Sequence, residues 1–118
     1  MDTGICLDTA HVVAYGYDIR TDEGMGRMLE EMRRAGGRNR VSVIHANDSR
    51  TQCGSHHDRH AHIGRGTIGA KGFRRMMSVP HFRRLPWILE TPKETEESDA
   101  RNRRELLRYF GSLPAERI

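Results

Sequence analysis

Short apolar runs alternate with longer polar segments along this chain, and three of the runs have the length of a β-strand. They span Gly4–Leu7, Val41–Ile44 and Pro86–Leu89. Each predicted strand is followed by a polar loop and then by a segment whose apolar residues recur at helical spacing. This order predicts three strand–helix units with parallel strands and right-handed crossovers, which is an α/β architecture.

The helical segments carry start and stop signals. They run from about Glu23 to Arg34, around Phe73 to Met77, and from Asp99 to about Phe110. Thr21 or Asp22 can cap the first helix and Ser98 the last, because short polar side chains accept hydrogen bonds from the free N–H groups of a first turn. The middle helix is predicted to end before Pro80.

The composition is poor in core-forming residues. Leu, Ile, Val and Phe together make up 22 of the 118 residues, just under the level of about 20% at which disorder becomes a serious interpretation. The net charge of +4 is too small to favour disorder. The length permits one domain at most, and a parallel sheet needs cover on both faces. We therefore expect a chain that is short of core on its own.

Arginine dominates the basic residues. Of the 20 Lys and Arg residues, 18 are Arg, and the isoelectric point is near 9.6. Arg binds phosphate groups through two hydrogen bonds at once, so a polyanionic partner is one interpretation. A solvated, Arg-rich surface is the other, and charge alone favours it.

The cysteines and the apolar runs indicate the cellular setting. Cys6 and Cys53 do not make a disulfide framework in a chain of this size. Cys6 lies in an apolar run and is predicted to be a small core residue. No signal peptide is predicted, and the apolar runs are too short to cross a bilayer. We therefore expect a cytoplasmic protein with no membrane partner.

Each predicted strand ends in a residue type that binds metal ions. Asp8 follows the first strand with His11 three residues later, His45 follows the second strand, and Glu90 follows the third. The carboxyl ends of neighbouring strands build the functional site in such folds, so these side chains are expected to converge. Asp, Glu and neutral His are usual zinc ligands. Taken alone, Glu90 can equally be a helix cap.

The long loop after the second strand adds further candidates. Asp58 and His60 are two residues apart, so in an extended segment their side chains point to the same side. Arg59 then points the other way and is free to meet a phosphate. Together with Asp8 and His11, these residues can supply ligands to two neighbouring metal ions. Ordinary loop or core roles are favoured for the remaining histidines, which are His56, His57, His62 and His81.

A glycine-rich run occupies residues 63–69. It resembles a phosphate-binding loop in composition, but it lacks the lysine and the spacing of a P-loop. A tight connector into the next helix is the stronger interpretation. Its backbone N–H groups and Arg65 can still contact a DNA phosphate.

The candidate motifs described above form five segments that follow one another along nearly the whole chain. They are Asp8-Thr9-Ala10-His11 with Tyr15-Gly16-Tyr17-Asp18, His45-Ala46-Asn47-Asp48-Ser49, Asp58-Arg59-His60, Ile63-Gly64-Arg65-Gly66-Thr67-Ile68-Gly69 and Ile88-Leu89-Glu90-Thr91-Pro92. This set resembles endonuclease IV, the zinc-dependent apurinic/apyrimidinic endonuclease of base excision repair. The resemblance implies a TIM-barrel fragment, with residues 1–118 forming the last three βα units of a xylose-isomerase-like (β/α)8 barrel.

The resemblance also implies a function and its ligands. The family cleaves the phosphodiester 5′ to an abasic site in DNA, uses up to three zinc ions, and is typically monomeric. By resemblance, Asp8, His45 and Glu90 would ligate one zinc. A second zinc would take the complete set His11, Asp58 and His60. Arg59 and Arg65 would then face DNA.

The chain also departs from the family pattern. The family's earlier strands supply two more histidines, a bridging glutamate and DNA-penetrating loops, which have no counterpart here. Ala10 and Ala61 stand where the family often has Cys and Glu, and neither position is a ligand. Met1 falls almost at the start of a barrel strand, so we expect a truncated reading frame and an inactive isolated chain.

Two alternatives from other classes remain. One is a non-catalytic zinc- and DNA-binding fragment, which the His11, Asp58 and His60 set and the Arg-rich loops would suffice to form. The other is a metal-dependent TIM-barrel sugar isomerase or epimerase, which shares strand-end Glu, Asp and His ligands. Asp58-Arg59-His60 followed by the glycine-rich run argues against the second alternative.

Overall fold

A computed structural model of the chain describes residues 4–90 and 95–114. The elements follow in the order β1 (Ile5–Asp8), α1 (Thr9–Tyr15), α2 (Asp22–Arg34), a 3-10 turn (Arg38–Arg40), β2 (Val41–Ala46), β3 (Asp48–Ser49), β4 (His60–Ala61), α3 (Gly69–Ser78), α4 (Pro80–Arg83), β5 (Trp87–Leu89) and α5 (Glu96–Gly111). The last two residues of the Glu90-Thr91-Pro92 segment lie outside the described residues.

The three predicted strands form one parallel sheet. Their order is β1-β2-β5, so β2 lies in the centre and the other two are edges. Ile44 of β2 is fully buried and lies opposite Trp87 of β5, and Leu7 of β1 pairs with the same Ile44 from the other side. The predicted α/β architecture of three strand–helix units is confirmed.

Helix boundaries follow the capping chemistry. The Thr21 side chain accepts a hydrogen bond from the Gly24 backbone N–H at 3.0 Å and starts α2, as predicted. The predicted cap of the last helix is wrong. The side chain of Thr95, not Ser98, accepts the capping bond, and Ser98 is the donor at 3.1 Å. Glutamates in the first turn of α5 favour the earlier start, because negative charge is stabilised at a helix N-terminus.

Several elements were not predicted, among them the 3-10 turn and α4. Helix α1 begins directly after β1, where a polar loop was expected, because the Asp8 side chain accepts a hydrogen bond from the His11 backbone N–H at 3.1 Å and caps the helix. The long loop contains a short antiparallel ladder of β3 and β4, which pairs Asp48 with Ala61 and Ser49 with His60. Both features position side chains at the carboxyl end of the sheet.

The core lies between the sheet and the helices. Phe73, Met76, Met77 and Phe82 are fully buried beside Ile44. The prediction that Cys6 is a core residue is wrong: Cys6 is exposed, because it alternates with the buried Leu7 along β1 and lies on the opposite face of the sheet. Among the described helices, none combines the length and the apolarity that a bilayer crossing requires.

Candidate metal centre

The register of the parallel sheet brings the first two predicted ligands together. Asp8 of β1 lies directly opposite His45 of β2. His45 in turn pairs with Ile88 of β5, and Glu90 follows two residues later. Because parallel strands end at the same edge of a sheet, three strands deliver a carboxylate, an imidazole and a carboxylate to one place.

Asp8, His45 and Glu90 form the first candidate group. Each offers one ligand atom, and these atoms all lie within 4.8 Å of one another. The Nδ1 atom of His45 contacts the Glu90 carboxylate directly. Asp8 and His45 are partly buried, whereas Glu90 is exposed, so the group opens to solvent on the β5 side.

Asp8, Asp58 and His60 form the second candidate group, within the same 4.8 Å limit. The Nε2 atom of His60 lies 3.7 Å from Asp8 Oδ2 and 3.4 Å from Asp58 Oδ1. On the other side of the ring, Nδ1 lies 3.2 Å from the Glu90 carbonyl oxygen and donates to it. With Nδ1 as the donor, the neutral imidazole presents an unprotonated Nε2 to the two carboxylates.

The environment of Asp58 tests whether a cation fits. Its Oδ1 atom is buried and has no hydrogen-bond donor among the described residues. It faces His60 Nε2, so two electron-rich atoms point into one space. A buried acceptor without a donor is costly, and a proton on Nε2 or a metal ion between the atoms removes the cost. The donor set of carboxylates and imidazole is one that zinc binds.

The carboxylates of Asp8 and Glu90 also act on the Cys6 thiol in β1. The pKa of the Cys6 thiol is raised by desolvation first, and then by the negative charges of Asp8 and Glu90. A field that opposes formation of a thiolate is one that favours a bound cation.

His11 lies beside the second group without belonging to it. Its Nδ1 atom is 3.5 Å from Asp58 Oδ2, and its side chain is 66% exposed. The predicted set of His11, Asp58 and His60 is therefore only partly assembled. The structure brings Asp58 and His60 together with Asp8, and His11 reaches the group through Asp58.

Sequence reasoning missed two residues that orient Asp8. Asn47 is fully buried, and its Nδ2 donates to Asp8 Oδ2 at 3.0 Å. Thr9, also fully buried, accepts from the Asn47 backbone N–H at 2.9 Å and donates to the Asn47 carbonyl at 2.6 Å. The available signal was two small polar residues placed directly after apolar strands.

Asp48 organises the glycine-rich segment. It is fully buried, and its Oδ1 accepts hydrogen bonds from the backbone N–H groups of Ser49 at 2.8 Å and Ile68 at 2.9 Å. Its Oδ2 accepts from Gly64 at 3.0 Å and Gly69 at 3.1 Å. The segment is thus a connector folded around a carboxylate of this chain.

The remaining predicted residues fall into two classes. Arg59 and Arg65 are exposed, and Arg59 Nη1 donates to the Asp58 carbonyl at 3.1 Å. His81 Nε2 lies 2.8 Å from the Val41 carbonyl oxygen, which can only accept, so His81 is the donor. His62 contacts Asn102 at 3.0 Å. His81 and His62 have the structural roles expected for them.

Comparisons with known proteins agree with this architecture. The model of the xylose isomerase-like TIM barrel family matches residues 2–112. A protein named probable endonuclease 4 from Persephonella marina is 45% identical over 113 residues, which cover 96% of this chain and 39% of that protein. The probable endonuclease 4 of Solibacter usitatus is 50% identical over 115 residues, with 95% and 40% covered. The chain spans about 40% of the length of these relatives.

The crystal structure of endonuclease IV from Thermus thermophilus superimposes with a TM-score of 0.78 at 38% identity. The match covers 93% of this chain and 39% of that one. The resemblance to endonuclease IV and the TIM-barrel fragment are both confirmed. This chain belongs to the xylose isomerase-like TIM barrel family.

Proposed function

We propose that this chain is the C-terminal portion, residues 1–118, of a zinc-dependent apurinic/apyrimidinic endonuclease that cleaves DNA on the 5′ side of an abasic site. In this proposal the chain supplies two of the zinc sites, and the remaining part of the barrel is required for incision. The isolated chain would be a cytoplasmic fragment without appreciable nuclease activity.

One observation carries the proposal. Asp8 is common to both candidate groups, so the two sets of ligand atoms lie side by side at the carboxyl end of the sheet. Two metal ions held in this way suit phosphodiester hydrolysis, where charge must be stabilised on both the attacking and the leaving oxygen. The relatives named endonuclease 4 point to the same reaction class.

The chain's own residues have distinct tasks in this proposal. Asp8, His45 and Glu90 would hold one zinc, and Asp58 and His60 would hold another with His11 or Asp8. When bound, zinc supplies Lewis acidity and a water of lowered pKa. The Glu90 carbonyl keeps the proton of His60 on Nδ1, which leaves Nε2 as a lone-pair donor.

Zinc binding by the 118-residue chain is the first test. Equilibrium dialysis against zinc is expected to leave at least one ion per chain, and His60→Ala is expected to bind one ion fewer than the wild-type chain. His57→Ala, which changes an exposed loop histidine, serves as the matched control. Absence of bound zinc, or equal binding by the His60 variant with an unchanged circular dichroism spectrum, would contradict the proposal.

Incision is tested in a chimera in which this chain replaces the matching part of the Thermus thermophilus endonuclease IV. The chimera is expected to cut abasic duplex DNA 5′ to the lesion and to leave a 3′-hydroxyl that a polymerase extends. His60→Ala is expected to abolish the cut, and His57→Ala to retain it. Incision by the isolated chain at the rate of the intact Thermus enzyme would overturn the expectation of inactivity.

The two alternatives are outcomes of the same tests. Zinc binding with no incision by a folded chimera would leave a non-catalytic zinc- and DNA-binding chain. Turnover of members of a sugar panel, with no action on abasic DNA, would indicate an isomerase or epimerase.

A further inference from the structure

Four rings form an aromatic shelf at the end of α1, made of His11, Tyr15, Tyr17 and His56. Tyr15 is its centre: its ring centroid lies 6.4 Å from His11 and 6.0 Å from Tyr17, both in stacked orientation. His56 meets Tyr15 edge-on, at 5.8 Å and 73°. Tyr15 is nevertheless 61% exposed, more than any other large hydrophobic side chain among the described residues.

The backbone around His56 is built to hold this arrangement. Gly54 and His56 donate their N–H groups to the last carbonyls of α1, on Val13 at 2.9 Å and Ala14 at 2.8 Å. His56 has a φ of +60°, and it is the only described residue other than glycine with a positive φ. That conformation is strained for a residue with a Cβ atom, and such strain concentrates at functional sites.

The far side of the shelf is fixed as well. The Tyr17 hydroxyl is hydrogen-bonded to the Glu31 carboxylate, and the guanidinium of Arg27 lies over the Tyr17 ring at 5.5 Å. The shelf is therefore a set of planar groups held from several directions, with an exposed cation at its edge.

The shelf adjoins the candidate metal centre. A cavity of about 90 Å³ lies between Tyr15 and His56, and His11, Ala14 and Asp58 complete its wall. His11 and Asp58 are also candidate ligands, so a group seated on Tyr15 would lie next to the metal centre.

We propose that the aromatic shelf stacks an unpaired nucleobase of the DNA strand whose phosphate the candidate metal centre receives. The proposal rests on the proposed function, because it takes DNA as the partner. A base offers a planar face to Tyr15, and an exposed aromatic ring binds such faces with little regard to sequence. The phosphates on either side of the base suit the positive charges of Arg27 and Arg59.

The test compares two oligomers of equal length and charge, one a single-stranded oligothymidylate and the other a chain of base-free deoxyribose analogues. Fluorescence anisotropy measures both affinities for the full 118-residue chain, in EDTA so that metal-bound phosphate contributes nothing. The wild-type chain is expected to bind the oligomer with bases about tenfold tighter. Tyr15→Ala is expected to remove this difference, and Tyr15→Phe to keep it.

The control is Leu107→Ala, which removes a 56% exposed apolar side chain from α5. It is expected to keep the preference for bases. Equal affinity of the wild-type chain for the two oligomers, or an undiminished preference in Tyr15→Ala, would overturn the inference. Because zinc binding and incision are measured separately, a base preference without incision would refute the proposed function alone.

Discussion

The buried carboxylate of Asp48 offers the sharpest test of how this chain holds its site. We expect Asp48→Asn to destabilise the fold, although the substitution hardly changes the volume of the side chain. In the native chain both carboxylate oxygens accept backbone hydrogen bonds. An amide has only one oxygen, so its NH2 group must face N–H donors that it cannot satisfy.

The size of the destabilisation depends on which carboxylate oxygen the NH2 group of Asn replaces. The amide oxygen best replaces Oδ1, which serves the buried Ile68 and Ser49. The NH2 group then faces Gly64 and Gly69, whose bonds to Oδ2 measure 3.0 and 3.1 Å. Hydrogen bonds to a charged acceptor contribute about 1.5–3 kcal/mol each. Gly64 is exposed and can reach water, so we take the lower value, and the loss amounts to about 3 kcal/mol.

Urea unfolding followed by the fluorescence of Trp87, the single tryptophan, measures this loss. Its indole N–H donates to the Phe82 carbonyl at 2.8 Å, and its ring packs edge-on against Phe110, so unfolding changes its surroundings. With an m value of about 2 kcal/mol/M, the urea concentration at the unfolding midpoint is expected to be about 1.5 M lower in Asp48→Asn than in the wild-type chain.

The control is Asp22→Asn, at a side chain that is 91% exposed and pairs with Arg75 on the surface. It is expected to cost about 0.5 kcal/mol or less. Faster amide hydrogen exchange at Gly64 and Gly69 would locate the effect of Asp48→Asn. A midpoint shift no larger than that of the control would refute the reasoning.

Three further predictions concern glycine geometry and titration. Gly66→Ala is expected to cost more than about 1 kcal/mol in urea unfolding, because a Cβ atom would lie 2.3 Å from the backbone oxygen of residue 49. Gly26 lies in α2 with open space around it, so Gly26→Ala is expected to raise the free energy of unfolding by about 0.5–1 kcal/mol. Equal effects of the Gly66 and Gly26 substitutions would contradict both expectations. Burial, followed by hydrogen bonding to a carboxylate, raises the pKa of Tyr109 from 10.0 to about 12, so its stabilisation is complete below pH 10 and lost as the pH rises to 12. Between pH 10 and pH 12, the free energy of unfolding of Tyr109→Phe should fall by about 2 kcal/mol less than that of the wild-type chain. Parallel pH profiles of stability for the two proteins would disprove this. The raised pKa of Cys6 should make its alkylation by iodoacetamide at pH 8 slower than that of a free thiol, although the residue is exposed.

The strand-end residues could be predicted because apolar runs stop at charged side chains. An apolar run that ends at Asp8, His45 or Glu90 indicates which residue lies at the carboxyl end of each strand. Parallel pairing then brings these three strand ends together at one edge of the sheet. The spacing of Asp58 and His60 likewise predicted a shared direction, and their ligand atoms do meet.

Other features could not be predicted, for physical reasons. Strands β3 and β4 have two residues each, too few for any periodicity to appear. The role of Asp48 depends mainly on the backbone N–H groups of Gly64, Ile68 and Gly69, which are sixteen or more residues away, and every sequence has such groups. The exposure of Cys6 depends on which face of the sheet the helices cover, which the local pattern does not contain.

The two edges of the sheet have a consequence for the chain in solution. Among the described residues, β1 and β5 each pair on one side only, and both expose an isoleucine, Ile5 at 40% and Ile88 at 48%. Since the edges differ, we expect the β1 edge of one molecule to pair in parallel with the β5 edge of another, which leaves the same two edges free at the ends. Such contact is heterologous and does not close, so it generates open polymers rather than dimers. Self-association of the purified chain should therefore grow with concentration without a fixed stoichiometry.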